Sequence, residues 1–591
     1  MKKHTQYSVC CIPLILLFVI IPMVVKAKFL NNPLADTSWY YSAATISDFF
    51  LYYKSWLVTI TGIIMLVFLF WQIGQMRHKN DLLCGDTKIF IPLFIYLVFA
   101  VLSSLFSEYS YFCTHGMPDQ FETIWNLIAY VITACYCYYV IVYHDSEKPI
   151  MWMIYIGAGL VGVVCVLQFF KIDIYRLIYS GEGYSFTFAP GTVYGPFYNI
   201  NYVGFYVLLL LPLFVLFTIF NKDLKARIIS AILAVLMVIS VIGAKSSTAI
   251  IALVAVGLFA VMFVLLKNAK SKKILWILIA VIAVGAVCVS ALAAPKIGAY
   301  IQASNTKKTA LESIYTYDDH VEISYKGQKL NVSMIMYDSS SVNFHLTDQD
   351  QFEVSCRDAY TEDGYAYYNI TDERFSGMTI MPILFSEEPA AYGFTMHIDD
   401  KDWSFTNQMT EDGAYYYYTD SGNLTKLTPE MKSEDFAPLE SVSSLASGRG
   451  YIWNKTIALL KDYVLFGSGA DTYALVFPND DYVDLYNNGY SGLFLTKPHN
   501  LYLQIAVQSG VVSLLCFLVF YVWYFVSSLR LYFKQRLDNP LVITGFAIML
   551  GTLGYMISGL ANDSTITVAP LYWALMGLGI GINHRIRMAA K

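Results

Sequence analysis

The chain has 591 residues, of which 57% are hydrophobic and only 14% are charged, with a formal net charge of −5 at pH 7. Soluble proteins carry about a quarter charged residues, so this composition excludes an ordinary soluble enzyme. It indicates a membrane protein.

Apolar segments long enough to span a bilayer recur along the chain. A spanning helix needs roughly 20 consecutive apolar residues, because it rises about 1.5 Å per residue through about 30 Å of hydrocarbon. The first segment follows Lys2 and Lys3 like a signal peptide, but it lacks a good small-residue cleavage site and is predicted to remain as a span. We predict 12 spans, near residues 9–25, 56–73, 89–106, 123–143, 150–170, 201–220, 227–243, 249–266, 274–294, 503–527, 541–560 and 567–583.

Basic residues mark every second loop between these segments. Short cytoplasmic loops collect Lys and Arg, and the basic stretches fall on one side of the predicted bundle: both termini and residues 76–80, 221–227, 267–273 and 529–536. We therefore predict a multi-pass protein of the cytoplasmic (inner) membrane with both termini in the cytoplasm. The stretch from 295 to 500 is predicted to lie outside.

The outer stretch divides into two parts. Residues 301–440 carry 25 Asp and Glu against 9 Lys and Arg, alternate apolar with polar residues, and contain turn signals such as "EDGY" and "DSGN", which is typical of β-hairpins. Residues 441–498 contain apolar residues at helical spacing and then the glycine-rich turn "FGSGAD". This part predicts an interfacial helix in a loop near the membrane.

The predicted fold class is an all-α polytopic membrane protein with about 12 transmembrane helices and a small extracytoplasmic β-rich domain in the long outer loop before helix 10. Residues 1–300 hold helices 1–9, residues 301–440 the acidic β-rich insert, residues 441–498 an extracytoplasmic catalytic loop, and residues 499–591 helices 10–12. Cys113 and Cys356 are predicted to face outward, either paired or as free thiols. The Cys and His spacings predict no metal site, and we expect no cofactor.

The predicted outer cations near the membrane are scarce and suit an anionic group such as phosphate at the headgroup level. They are Lys171, Arg176, Lys245, Lys296, Arg449, Lys455, Lys461 and Lys497. Arg449 is the strongest candidate because it lies between glycines in "SGRGYIW", where a bare backbone allows a ligand to come close. His499, in "KPHNLY", is the candidate base, because an imidazole accepts a proton near neutral pH. For a single lysine, snorkelling to the interface is the alternative, and a lone interfacial histidine is more often structural. Asn201 lies at the start of a span, where it could simply cap the helix.

Four stretches in order resemble the O-antigen ligase and polymerase superfamily of bacterial membrane proteins. They are "GPFYNINYVGFYVLLLLP", "KSSTAIIAL", "SGRGYIWNKTIALLKDYVLFGSGADTY" and "KPHNLYLQIAVQSGVVSLL", and they cover roughly residues 190–265 and 445–525. The resemblance implies a glycosyltransferase that takes a glycan from an undecaprenyl diphosphate donor and joins it to an acceptor hydroxyl outside the cytoplasmic membrane. It implies that Arg449 binds the diphosphate and that His499 deprotonates the acceptor.

Two features depart from the family pattern. Family ligases usually carry a Ser-Arg pair where this chain has Lys245-Ser246-Ser247, so Lys245 is the expected substitute for the missing arginine. The acidic β-rich insert is not a standard feature of the family. The residues expected to bind the diphosphate or the glycan are Lys245, Asn201, Asn500, Lys497 and Arg176.

The predicted function is polymerisation of the lipid-linked oligosaccharide by a metal-independent, inverting glycosyltransferase, for cell-surface polysaccharide assembly. A ligase that transfers the glycan to a lipid, protein or wall acceptor is the alternative within the family. A polysaccharide transporter or flippase also fits 12 spans, but transporters place ionisable residues within their spans, and here the spans are almost free of charge. A sensor is a third class, although the chain carries no cytoplasmic output domain. The expected partners are the donor, the acceptor and membrane lipids, with a flippase and a chain-length regulator as further candidates and no nucleic acid.

Overall fold

The computed structural model describes residues 10–35, 37–40, 43–75, 85–144, 146–179, 188–268, 310–338, 341–360, 366–387, 390–410, 413–420, 423–442 and 448–590. Helices dominate these segments. In chain order they are α1 (Ile12–Met23), α2 (Tyr52–Gln75), α3 (Phe90–Leu105), α4 (Ser110–His115), α5 (Ile124–Tyr143), α6 (Glu147–Phe169), α7 (Ile174–Tyr179), α8 (Ile200–Phe220), α9 (Leu224–Ala244), α10 (Ser247–Asn268), α11 (Arg449–Leu459), α12 (Tyr473–Val476), α13 (Tyr482–Asn487), α14 (Leu501–Ser509), α15 (Val511–Lys534), α16 (Pro540–Ser558) and α17 (Ala569–Ala589).

Within each sheet, the described strands pair antiparallel with the strands next to them in sequence. They are β1 (Lys28–Asn31), β2 (Thr45–Asp48), β3 (Leu311–Thr316), β4 (Val321–Tyr325), β5 (Gln328–Asp338), β6 (Ser341–Asp348), β7 (Cys356–Tyr360), β8 (Ala366–Ile370), β9 (Thr379–Glu387), β10 (Ala390–Ile398), β11 (Lys401–Thr410), β12 (Gly413–Asp420) and β13 (Asn423–Thr425).

Among the described residues, nine helices are long and apolar enough to cross a membrane: α2, α3, α5, α6, α8, α9, α10, α15 and α16. They correspond to nine of the predicted spans, so the chain has the helices of a multi-pass membrane protein. The helix at the first predicted span, α1, covers 12 residues and is shorter than a crossing helix. At the last predicted span, α17 is 21 residues long and buried along most of its length, but it is not among the nine. The predicted span at 274–294 lies outside the described residues.

The predicted span at 503–527 is two helices rather than one. Gly510 separates α14 from α15 with φ +96° and ψ 152°, a conformation that favours glycine. A Cβ at this position would lie 2.5 Å from the carbonyl oxygen of Leu465, so no larger residue fits without movement. The sequence pattern missed the break because the apolar run continues on both sides of it.

The bundle helices pack closely where glycines face a neighbouring backbone. α17 packs along α5, and α8 packs along α9 and α16. A Cβ at Gly577 would lie 2.1 Å from the carbonyl oxygen of Ala134, and one at Gly551 would lie 2.4 Å from that of Leu209. Small residues are the usual device by which membrane helices approach each other, and these two contacts join α17 to α5 and α16 to α8.

The β-rich region that the sequence predicts is present, with strands from Leu311 to Thr425. Strands β3 to β6 form one antiparallel sheet and strands β7 to β13 form a second one in sequential order. The sheets face each other through aromatic side chains: Phe344 and Phe394 have ring centroids 5.5 Å apart, and Trp403 is fully buried. The region contacts the helical part through Asn487, whose side-chain amide donates to the carbonyl of Leu311 at 2.9 Å.

Candidate active site

The predicted histidine-asparagine pair lies at the start of α14. The Asn500 side-chain oxygen caps this helix by accepting hydrogen bonds from the backbone N–H groups of Tyr502 and Leu503, each at 3.0 Å. Its amide donates to the carbonyl of Leu560 at 2.9 Å. Asn500 therefore fixes the start of α14 against the loop that follows α16.

His499 forms a pair with a buried carboxylate. Its Nδ1 lies 3.1 Å from Oδ2 of Asp563, while Oδ1 of the same carboxylate accepts the backbone N–H of Asn500 at 3.1 Å. The Asp563 side chain is 2% exposed and that of His499 is 39% exposed. Because a carboxylate only accepts hydrogen bonds, Nδ1 carries the proton and Nε2 is left able to accept one.

The backbone of His499 is in the left-handed region, with φ 50°. A non-glycine residue pays a conformational cost there. The contacts of Asp563 with both the imidazole and the next backbone N–H explain how this conformation persists. Asp563 therefore fixes the orientation of the His499 imidazole as well as its tautomer.

Arg449 is the first residue of α11, and its helix is joined to the His499 loop. Trp453, one turn further along α11, donates its indole N–H to the carbonyl of Pro498 at 3.1 Å. Gly448, the N-cap, has φ +90°, and a Cβ there would lie 2.6 Å from the Tyr490 hydroxyl. Burial lowers the pKa of the Arg449 guanidinium, and the negative charge of Asp563 opposes this shift. The guanidinium and the imidazole thus share the electrostatic field of one carboxylate.

Lys497 is a buried cation two residues before the histidine. Only 8% of its surface is exposed, and its Nζ donates to the Tyr202 hydroxyl at 3.0 Å. Burial alone lowers the pKa of Lys497, but its interactions with Tyr202 and the charge of Asp563 more than offset it, so that the pKa lies above the usual value. The ammonium group therefore stays charged in a place that ordinarily disfavours charge.

Asn201 is connected to the same region through hydroxyl groups. Its Oδ1 accepts from the Ser246 hydroxyl at 2.7 Å, which lies 3.2 Å from the Thr248 hydroxyl. Thr248 in turn accepts from the side-chain amide of Asn562 at 2.9 Å, and Asn562 precedes Asp563. The chain of contacts brings α8, the start of α10 and the loop after α16 together.

The two remaining predicted residues occupy other positions. Lys245 ends α9 in the left-handed region, with φ 54°, and its side chain is exposed. Arg176, in α7, donates from its guanidinium to the carbonyl of Phe188 and is close to Tyr194. The structure shows neither of them in contact with His499 or Asp563, and their predicted substrate contacts remain predictions.

A second buried carboxylate lies behind the site. Glu122, just before α5, accepts hydrogen bonds from the hydroxyls of Tyr130 at 2.8 Å and Ser564 at 2.7 Å, and from the amide of Gln504 at 3.3 Å. Burial raises the pKa of Glu122 and the charge of Asp563 raises it further, while the hydrogen bonds from Ser564 and Tyr130 and the charge of Lys497 oppose the shift. Glu122 therefore ties the residue after Asp563 to the second turn of α14.

Several other predicted features have structural explanations. Lys455 is buried and paired with Asp435 at 2.8 Å and Asp484 at 2.7 Å, so its charge is already matched within the protein. Cys113 and Cys356 are free thiols, which answers the question of their pairing. Within the described parts of the chain, no three His, Cys, Asp or Glu side chains form a group that could hold a metal ion.

Comparison with known families identifies part of this region. Residues 414–518 match the O-antigen ligase family. The matched residues include Arg449, Lys497 and His499, whereas Asp563 lies beyond them. The match confirms the resemblance to the O-antigen ligase and polymerase superfamily and supports a glycosyl-transferring, O-antigen ligase-type function in surface polysaccharide assembly. No curated protein matches the chain.

Sequence reasoning did not single out Asp563 or Glu122. Asp563 lies in the short loop "ANDSTI", 64 positions after His499, and Glu122 lies in "DQFETIW" just before a span. The available signal was position: each is a carboxylate at the end of an apolar segment, on the side predicted to carry His499. A carboxylate at such a border also occurs commonly as a solvated residue, so position alone was not enough.

Proposed function

We propose that this protein is an integral-membrane glycosyltransferase that polymerises undecaprenyl-diphosphate-linked oligosaccharide at the outer face of the cytoplasmic membrane. The observation that carries the proposal is the pairing of His499 with Asp563, whose charge also acts on Arg449 and on the buried Lys497. The residues 414–518 that match the family thus contain a base and two cations that respond to one carboxylate. Such a set of groups suits a donor whose leaving group is an anion.

In the proposed reaction, the acceptor hydroxyl gives its proton to Nε2 of His499. The oxygen attacks the anomeric carbon of the donor sugar as the bond from that carbon to the diphosphate oxygen breaks. Undecaprenyl diphosphate leaves with the electron pair of the broken bond, and the proton on His499 passes to solvent. A single displacement of this kind inverts the configuration at the anomeric carbon.

The two cations have distinct tasks in this proposal. The planar fork of Arg449 makes two parallel hydrogen bonds to phosphate oxygens, whereas Lys497 acts as a point charge. Charge that develops on the leaving group is stabilised most strongly by groups already held in place in a poorly solvated site. Lys497 is buried and Arg449 is partly buried, which meets this condition.

Asp563 is a positioning residue in the proposed mechanism. By holding the proton on Nδ1 it keeps Nε2 free to accept the acceptor proton, and it stabilises the imidazolium that forms. Asn500 and Glu122 hold together the start of α14, next to His499, and the loop after α16 that contains Asp563.

A ligase with the same donor is the second candidate, because the matching family bears that description. The two activities share every step above and differ only in the acceptor, which is another lipid-linked repeat for a polymerase and a different molecule for a ligase. The products separate them: a polymerase yields a ladder of increasing chain lengths, whereas a ligase attaches preformed chains in one step.

The test is complementation of a deletion strain with the full chain and its variants, followed by electrophoresis of the surface polysaccharide. We expect His499→Ala and Arg449→Ala to abolish polymer while the protein remains in the membrane at normal amounts. His115→Ala, which truncates an exposed histidine stacked on Tyr111, is the matched control and should behave as wild type. Normal ladders from the His499 or Arg449 variant would contradict the proposal.

A further inference from the structure

One face of the larger sheet is not used by the core of the β-rich region. Along β10, Phe394, Met396 and Ile398 are fully buried against the smaller sheet, so the residues between them face the opposite way. These are Thr395 and His397. The antiparallel register places Ser404 beside Thr395 and Asp402 beside His397 on β11.

This opposite face contains a shallow depression of about 450 Å³. Its lining includes the polar side chains of Thr379, Thr395, His397 and Asp402 together with Met381. Two tyrosines, one from each of the two strands at this edge of the sheet, also line it. Tyr360 on β7 is 69% exposed, and Tyr367 on β8 is partly exposed. We refer to the depression, lined by Tyr360, Tyr367, Thr379, Met381, Thr395, His397 and Asp402, as the tyrosine cleft.

The tyrosine cleft holds a polar pair that faces solvent. His397 Nδ1 lies 2.8 Å from Asp402 Oδ1, and the two side chains are 46% and 71% exposed. An ion pair this exposed contributes little to stability, so its arrangement is not needed to hold the sheet together. The second carboxylate oxygen of Asp402 can accept a hydrogen bond from a ligand that carries hydroxyl groups, and the partly exposed hydroxyl of Thr379 can donate or accept one.

The chemistry of the cleft selects one class of ligand. Among its described lining residues there is no Lys or Arg, and residues 301–440 as a whole carry 25 acidic against 9 basic residues. An anionic lipid headgroup or a nucleic acid is therefore repelled. Exposed aromatic rings beside hydroxyls and a carboxylate suit a pyranose, which offers an apolar face of C–H groups to a ring and a rim of hydroxyls to polar side chains.

We propose that the tyrosine cleft binds one or two sugar units of the polysaccharide that the active site handles. This inference rests on the proposed function, since it takes the cleft's ligand to be the glycan of that reaction. Sugar rings stack on Tyr360 and Tyr367, and Asp402 and Thr379 form hydrogen bonds with their hydroxyls. The β-rich region thereby becomes a holding site for the glycan.

A holding site on the same chain changes the local supply of substrate. A glycan bound at the cleft is tethered to the enzyme, so the next encounter of its end with the active site is governed by an effective concentration rather than by bulk diffusion. A polymer with repeating units can shift along such a site unit by unit. Weak binding to each unit is sufficient for this purpose, and a shallow, open cleft gives weak binding.

The experiment measures binding separately from catalysis. The full-length protein with His499→Ala is reconstituted in lipid nanodiscs, and the probe is the surface polysaccharide purified from the cells that encode the protein, titrated by biolayer interferometry. In this background we expect Tyr360→Ala to weaken binding roughly five- to tenfold, from the loss of one stacked ring. Asp402→Asn, which keeps the shape of the side chain, should weaken it as well.

Phe352→Ala is the matched control, because Phe352 is also an aromatic residue that is 69% exposed but does not line the cleft. Binding equal to the parent in both cleft variants, or equal losses in the Phe352 variant, overturns the proposal. If the cleft variants instead change only the oligomeric state measured by mass photometry, the face is an interface between two copies and the proposal is again overturned. Because the parent lacks His499, binding is measured apart from turnover. A parent that does not bind the polysaccharide overturns the cleft proposal, whereas the proposed function is tested separately by the complementation experiment.

Discussion

Replacing Asp563 by Asn tests how the base is prepared. The substitution keeps the size of the side chain but removes the charge that accepts from His499 Nδ1 and from the backbone of Asn500. An amide can turn either its oxygen or its NH2 group to the imidazole, so the ring loses its fixed tautomer. A hydrogen bond to a charged group is worth about 1.5–3 kcal/mol, which corresponds to a fall in turnover of roughly 10- to 150-fold at 1.36 kcal/mol for each factor of ten.

The decisive assay is a double-mutant cycle. Turnover is measured with purified lipid-linked donor and acceptor for the wild type, Asp563→Asn, His499→Ala and the double variant. If Asp563 acts through His499, its substitution has little further effect once the imidazole is gone, and the two effects are far from additive. Substrate affinity should change less than turnover.

Two results would refute this reasoning. One is Asp563→Asn turnover equal to that of the wild type. The other is the full loss appearing again in the His499→Ala background, which would show that Asp563 serves the fold or the substrate directly. Thermal unfolding of each purified variant is needed alongside, since Asp563 is only 2% exposed and a general loss of fold would imitate a loss of activity.

Three further predictions follow from the cations and from Glu122. Arg449→Lys keeps the charge but loses the two parallel hydrogen bonds to phosphate. The KM for the donor should therefore rise by roughly tenfold in this variant, whereas the Ala variant should be inactive. An unchanged KM would show that the guanidinium does not bind the donor. Lys497→Met fills the same space without charge and should cut kcat/KM by roughly tenfold or more, whereas Lys497→Arg should restore part of it. Burial raises the pKa of Glu122 above 4.5, so the folded state binds this proton more tightly than the unfolded state does. The contribution of this group to the free energy of unfolding is therefore fully present below about pH 4.5. It is lost as the pH rises through the pKa of the folded state. Glu122→Gln should therefore make Tm fall less between pH 4.5 and 8 than it does in the wild type, and parallel curves for the two proteins would be against this assignment.

The sequence allowed most of the architecture to be predicted because hydrocarbon length imposes a strong pattern. Nine predicted spans, the β-rich insert and the resemblance to O-antigen ligases rest on features local in sequence: apolar runs, period-two alternation and short motifs. The break at Gly510 was not predictable in this way. It depends on a backbone that lies 2.5 Å from where a Cβ would be, and that backbone, at Leu465, comes from the glycine-rich segment far upstream of the span.

The site residues also differ in whether local sequence features or long-range contacts reveal them. Arg449, Lys497 and His499 were found because the first two are cations that are scarce on the side of the membrane predicted for them, and the third lies in a recognisable motif. Asp563 and Glu122 were missed because their importance lies in a contact across the chain: Asp563 is 64 positions from His499, and Glu122 is 442 positions from Ser564. Neither spacing has a periodicity to reveal it. Lys455 shows the opposite error, since a cation that looked available is neutralised by Asp435 and Asp484.

The break at Gly510 explains why a polar His-Asn pair can precede an apolar run. Because α14 stops after nine residues, it does not cross the bundle, and both of its ends are fixed by backbone contacts. At its start, the N–H of Leu501 donates to the carbonyl of Gly559 at 2.8 Å; at its end, the carbonyls of Val507 and Gln508 accept from Ser468 and Gly469 at 2.8 and 3.0 Å. Gly467 has room for this contact only because it lacks a Cβ, which would lie 2.2 Å from the carbonyl carbon of Gln508. A short helix held at both ends fixes the position of the residues at its start, and the Asp563 contacts then hold His499 in its left-handed conformation with the imidazole aligned. This is the form of preorganisation that electrostatic catalysis requires.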